Sequence, residues 1–305
     1  MQVGIKVGLQ KSSFTDLQAT QPDFCEVWFH SAKIDQYNDL FSYIQSLGIG
    51  CGLHFWGAAE NTLVNLCFPD TKLLAASRAL VKKTIDVAAK YKCRYVNIHP
   101  GGARKIGVDF TTYHFYQIGE KVSFSSCINL LRESLSELTN YAVNKKVELY
   151  VESVPAMGIG KPLQDGPGGR TAPLDLAELP LKHLEQVLTI PQLYFTNDFG
   201  HTAANIISTD RTEIYHYLYE STKRLAPKTR LLHSGFIISP YNGTDYHGSL
   251  YEQIFQTKTA IPNKLEMLGL LNLFRTRSDV GVLVEPESDH VGNFQFLKTL
   301  ISELS

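Results

Sequence analysis

The sequence predicts an α/β protein built as a (β/α)8 TIM barrel, and three observations carry that expectation. Short, largely apolar runs alternate with longer stretches of helical period along the whole chain. Eight such strand–helix units can be counted, and 305 residues is the length that eight units need. No low-complexity or linker-like stretch divides them, so residues 1–305 read as one domain.

The strand candidates are VGIKV from Val3, FCEVWF from Phe24, GCGLHF from Gly50 and RYVNIH from Arg94. VELYVES from Val147, LYFTND from Leu193, RLLHS from Arg230 and VGVLVEP from Val280 complete the set. Continuous apolar runs of this length suit strands covered on both faces of a parallel sheet. Between them, a helix beginning near Asp70 gathers Leu73, Leu74, Leu80, Val81, Ile85 and Ala88 on one face. A second shows Ile128, Leu131, Leu135, Leu138 and Ala142 at spacings of three and four. Others run from about Asp210 to Arg224 and around Asn263 to Phe274. Two segments exceed ordinary loop length: Gly101 to Ser126, rich in aromatic residues, and Met157 to Ala172, rich in Gly and Pro. Both follow strand C-termini, where barrel enzymes build their sites, and they are expected to form a substrate lid or wall.

Composition narrows the function classes. The chain is 44% apolar and 19% charged, which excludes a disordered or coiled-coil protein. Its formal charge of −1 advertises no bulk attraction to nucleic acid. Five cysteines without a C-x-x-C pair argue against a disulfide framework. The start, MQVGIKVGLQ, lacks signal-peptide character, and no apolar run has membrane-spanning length. A soluble, cytoplasmic protein without membrane partners is expected.

The ligating residues are not scattered. His54 and His99 end the third and fourth strands, Glu152 the fifth and Asp198 the sixth, with His201 three residues on. His233 ends the seventh, Asp245 and His247 lie in the loop after it, and Glu285 ends the eighth. Barrel closure would bring all of these to one rim. Burying Glu152, Asp198 and Glu285 together without cations would carry a severe like-charge and desolvation cost, which a divalent metal removes. The mixture of imidazole and carboxylate favours Zn2+, with Mn2+, Fe2+ or Co2+ as other occupants, and the ligand count suits two or three ions. His183 and His216 fall in helical stretches and read as surface residues. His30, His114 and His290 are placed to line the cavity mouth.

These motifs resemble those of the xylose-isomerase-like barrels, and within them the endonuclease IV family of apurinic/apyrimidinic endonucleases (AP endonuclease family 2). The matching segments are His54 in GLHFWG, His99 in IHPGG, Glu152 in YVES, and Asp198 with His201 in NDFGHTAA. His233 in LLHSG, Asp245 with His247 in TDYHGSL, and Glu285 in VEPE complete them. The resemblance implies three zinc ions. His54, His99 and Glu152 would hold the first, with Glu152 bridging to the second. Asp198, His233 and Glu285 would complete the second site, and His201, Asp245 and His247 would hold the third. It also implies a phosphodiester hydrolase acting in DNA repair, in which hydroxide attacks a backbone phosphate of abasic or damaged DNA. Glu152 and Glu285 would be the catalytic carboxylates.

The sequence departs from that family where DNA would be read. The family's D-R-H is Asp245-Tyr246-His247 here. Phe55-Trp56-Gly57-Ala58-Ala59 stands where a Tyr-Leu pair wedges into DNA, and His30-Ser31-Ala32-Lys33-Ile34-Asp35 replaces a basic, Gln-containing loop. The family's N-T-A-G-Q-G reads Ser153-Val154-Pro155-Ala156-Met157-Gly158. The alternative reading is a sugar isomerase or epimerase with a single metal, such as Mn2+, on Glu152, Asp198, His233 and Glu285. Trp28 and Trp56 at the mouth suit a small sugar substrate at least as well as DNA.

Overall fold

The computed structural model describes residues 1–109, 111, 114–155, 179–206, 208–241, 243 and 246–304. Eight strands close into a parallel barrel: β1 (Gln2–Val7), β2 (Phe24–His30), β3 (Gly50–Trp56), β4 (Tyr95–Ile98), β5 (Glu148–Glu152), β6 (Leu193–Asp198), β7 (Thr229–His233) and β8 (Gly281–Leu283). Each pairs with its sequence neighbours, and β8 closes on β1. The expected fold is therefore the observed one. β8 is shorter than its apolar run suggests. It ends at Leu283, and Pro286 has no N–H with which to extend a ladder, so Glu285 lies just beyond the strand.

Alternation sorts every strand into an inner and an outer row. On β2, Phe24, Glu26 and Trp28 share the inner row, while Cys25, Val27 and Phe29 pack outward in the main core beneath the helices. The inner row is stratified. Phe24, Tyr95, Tyr150, Leu231 and Leu283 fill the N-terminal end as their own apolar cluster. Rings of that size fit only because glycine faces them: a Cβ on Gly4 would fall inside the Phe24 ring, and one on Gly52 inside the Tyr95 ring.

The helices begin where capping chemistry directs. Asp70 accepts from Lys72 and Leu73 N–H at 3.1 Å to start Thr71–Lys90. Asn263 and Glu266 form a capping box that starts Lys264–Asn272. Phe124–Asn144 and Arg211–Leu225 supply the other two expected helices. Among the described residues, no helix is long and apolar enough to cross a membrane. All five cysteines are buried free thiols.

The long segment after β4 forms a hairpin, Lys105–Asp109 with His114–Ile118, which joins Ala58–Ala59 and Thr62–Leu63 in a four-stranded sheet. Phe115 from this hairpin meets Trp56 edge-on at 6.1 Å, making it a wall of the site. The segment Met157 to Ala172 lies outside the described residues.

Candidate functional site

Because parallel strands end together at one rim, the inner-row residues nearest their C-termini converge. Glu152 is at the centre and fully buried. Its Oε2 lies 3.4 Å from His54 Nε2 and 3.5 Å from His99 Nε2, and those two nitrogens are 3.3 Å apart. Its Oε1 lies 3.1 Å from His233 Nδ1. On the same side, Asp198 Oδ2 and Glu285 Oε2 approach His233 Nδ1 at 3.7 and 3.4 Å. Two groups able to hold a metal therefore share Glu152: His54, His99 and Glu152, and Glu152, Asp198, His233 and Glu285.

His201 Nδ1 lies 3.3 Å from the second oxygen, and the His201 and His247 ring centroids are 6.4 Å apart. Asp198 caps the short helix Phe199–Ala204 by accepting from the His201 N–H at 2.8 Å, which fixes where that ring starts. His201 Nδ1 donates to the Ser153 carbonyl and His247 Nδ1 to the Glu285 carbonyl, both at 2.9 Å. A neutral ring that donates from Nδ1 presents its Nε2 lone pair, the arrangement a ligating histidine needs. Asp245 lies outside the described residues, and so does the side chain of His114. His30 and His290 line the cavity mouth. His216 is exposed, and His183 is half-buried, stacked on Phe124 at 5.5 Å.

Two charged residues that sequence reasoning did not select complete the site. Lys6 and Glu26 are register partners on β1 and β2, 3% and 0% exposed. The Lys6 ammonium lies 2.6 Å from Glu26 Oε1 and 2.5 Å from His54 Nδ1, and it also contacts Glu285. A third metal-capable group, Glu26, His54, His233 and Glu285, thus already has a cation against three of its members. Glu26 Oε1 lies 3.0 Å from His233 Nε2, on the opposite side of the ring from Nδ1, which faces Glu152 and Asp198. The available signal was parity: Lys6 and Glu26 share the inner row with His54.

Electrostatics follow from this crowding. Burial alone would raise the Glu152 pKa, but the His233 ring against it holds it well below the ordinary carboxylate range. Glu26 is likewise held low, against its burial, by Lys6 and His233. Burial and the neighbouring Lys6 push His54 down to about 3, so it is a neutral imidazole and its contacts with carboxylates are not ion pairs. Burial would lower His233 too, but Glu152 and Glu26 raise it to about 9. Four carboxylates, Glu26, Glu152, Asp198 and Glu285, thus converge around one lysine, Lys6. A divalent ion would offset that concentration of negative charge, and the imidazole and carboxylate donors suit zinc or its first-row neighbours.

Comparison with known proteins agrees with this architecture. Over 88 residues, 28% of this chain, the sequence is 32% identical to the probable endonuclease 4 of Haloarcula marismortui, and the match spans 32% of that relative's length. The TTHB071 protein of Thermus thermophilus, in a structure from soaking with ZnCl2, superposes with a TM-score of 0.65 at 18% identity over 99% of each chain. D-psicose 3-epimerase of Clostridium cellulolyticum H10, with D-tagatose, superposes with a TM-score of 0.59 at 13% identity, covering 100% of this chain and 95% of its own. At those identities the two structures show the shared fold. The AP endonuclease family 2 model, described as a xylose isomerase-like TIM barrel, matches residues 21–233, and the chain belongs to that family.

Proposed function

We propose that this protein is a metal-dependent phosphodiester hydrolase with a multinuclear, zinc-type centre. One observation carries the reading: the two oxygens of Glu152 face two different ligand groups, as a bridging carboxylate does. The Nδ1 bonds of His201 and His247, which direct both Nε2 atoms as ligands, add support for a third position.

In this reading His54, His99 and Glu152 hold one ion, and Glu152, Asp198, His233 and Glu285 a second. His201, His247 and Asp245 complete the set. Ions held there supply positive charge for the phosphoryl oxygens and lower the pKa of water. The chain's own groups do the rest. The Glu26 carboxylate lies against His233 Nε2, the Asn97 amide donates to Glu152, and Lys6 steadies Glu285. Glu285 is the most exposed of the four carboxylates and would orient the attacking water. The water oxygen bonds to phosphorus, one P–O ester bond breaks, and the water's proton ends on the departing alcohol.

The test is hydrolysis of bis(p-nitrophenyl) phosphate and nicking of an abasic-site duplex with Zn2+, Mn2+ or Co2+. Glu152→Gln is expected to cost at least about a hundredfold in kcat with loss of bound metal. A wild type that hydrolyses neither substrate with any of the three metals would overturn the reading.

A second reading rests on its own observation. Glu152, Asp198, His233 and Glu285 alone form a complete four-ligand group, which is sufficient for a sugar isomerase or epimerase. Such an enzyme would move solvent deuterium onto a carbon of a ketose, and a ketose panel in D2O without exchange would remove this alternative.

A further inference from the structure

A cavity of about 690 Å3 opens beside the ligand cluster, between the ends of β1, β2 and β3 and the loop after β8. Lys6 and Trp56 belong to both: Lys6 touches His54 and Glu285, and the Trp56 ring meets His99 at right angles, 6.1 Å away. Its volume is that of a site for one small ligand.

The chain has two tryptophans, and both are in this wall. Trp28 is 48% exposed although it sits in a strand whose other inner residues are buried. Its ring lies 6.4 Å from that of Trp56 with an interplanar angle of 89°, so the two indoles form a corner. The corner is held in place. Tyr37 donates to the Trp28 carbonyl at 2.8 Å and accepts from the His30 N–H at 2.9 Å, clamping the strand on both sides of Phe29. A flat ring in this corner is offset-stacked on one indole and edge-on to the other, the two favourable aromatic geometries.

Charge argues against a polyanion. The cavity carries Lys6 and Lys33 against Asp16, Glu287 and Asp289, and Lys6 is already engaged by Glu26 and Glu285. Duplex DNA is held by a row of cations on successive phosphates, which the described residues of this wall do not offer.

From the cavity's size, its indole corner and its balanced charge, we propose that the scissile phosphodiester belongs to a small molecule, with one ester arm carrying a nucleoside-sized aromatic ring seated against Trp28 and Trp56. The inference rests on the hydrolase reading above. Hydrolysis adds water across the P–O bond, leaving a phosphomonoester on one arm and a free hydroxyl on the other.

Two measurements on the full-length, metal-loaded protein test it. Both tryptophans line this cavity, so thymidine 5′-monophosphate should quench their intrinsic fluorescence saturably, whereas methyl glucoside should not. Hydrolysis of the p-nitrophenyl ester of thymidine 5′-monophosphate should exceed that of methyl p-nitrophenyl phosphate at least about tenfold in kcat/KM, as stacking of one base implies. Trp28→Ala should raise KM for the thymidine ester about tenfold, with Trp28→Phe in between. Hydrolysis of the methyl ester without nucleotide quenching, quenching by the glucoside instead, or a higher kcat/KM on an abasic duplex would each overturn the small aromatic substrate and leave the hydrolase standing. Nucleotide quenching with no diester hydrolysed would instead overturn the reaction.

Discussion

The two ends of this barrel are built from the same eight strands and solve opposite problems. At the N-terminal end the inner row is aromatic and closed. Tyr95 and Tyr150 stack at 4.5 Å, and Tyr194 meets Tyr150 edge-on. The charges there stay at the margin in pairs, Arg94 with Glu148 and Arg230 with Asp279. At the C-terminal end, further along the same strands, the aromatic layer has given way to Lys6, Glu26, His54, Asn97, Glu152 and His233, all buried. One end gains stability by removing apolar rings from water. The other accepts the desolvation cost of converging charges, a cost that makes sense only if something else is bound there.

Substitutions at each end should therefore separate stability from metal binding. The largest effect on folding is expected at the closed end. Phe24→Ala removes a buried ring that packs over Gly4 and Gly281, and should cost about 3–5 kcal/mol of stability. Urea unfolding would read the loss, and bound metal per folded chain should not change. If metal content fell with stability, the two ends would not be independent.

Glu26→Gln probes the open end. It removes the negative charge 3.0 Å from His233 Nε2, and should weaken zinc binding about 10- to 100-fold. Chelator competition measures this, and Glu26→Asp should recover part of it. Unchanged affinity would mean that His233 is oriented without Glu26.

The smallest effect is expected at the margin of the closed end. Asp279, forked by Arg277 at 2.6 and 2.8 Å, has its pKa lowered from 3.8 to about 2, the Arg277 hydrogen bonds being the main cause and Arg230 adding to them. A depressed carboxylate contributes stability above its unfolded pKa and loses it as the pH falls through the folded one. Asp279 is partly exposed, so Asp279→Asn should cost less than about 1 kcal/mol at pH 7. That difference should shrink as the pH is lowered from about 4 towards 2, and a gap that persisted there would assign the effect to packing.

Much of this was legible in the residues. The strand runs, the caps at Asp70 and Asn263 and the ligands from His54 to Glu285 depend on local period and local chemistry, which a sequence displays directly. Lys6 and Glu26 were not. Each lies mid-strand in an apolar run, and nothing local distinguishes a buried ion pair from two isolated charges. Trp28 and Trp56 were recognisable as residues of the mouth, but the right angle between them was not.

The sequence by itself determined that eight strands alternate with helices and that ligating side chains cluster at strand ends, because periodicity and capping act over a few residues. Only the tertiary structure decided which of those side chains meet. His54 and Glu285 are 231 residues apart, and Lys6 and Glu285 are 279 apart. Their contacts exist because β8 pairs with β1 in one register, and closure of the barrel converts that register into a shared centre.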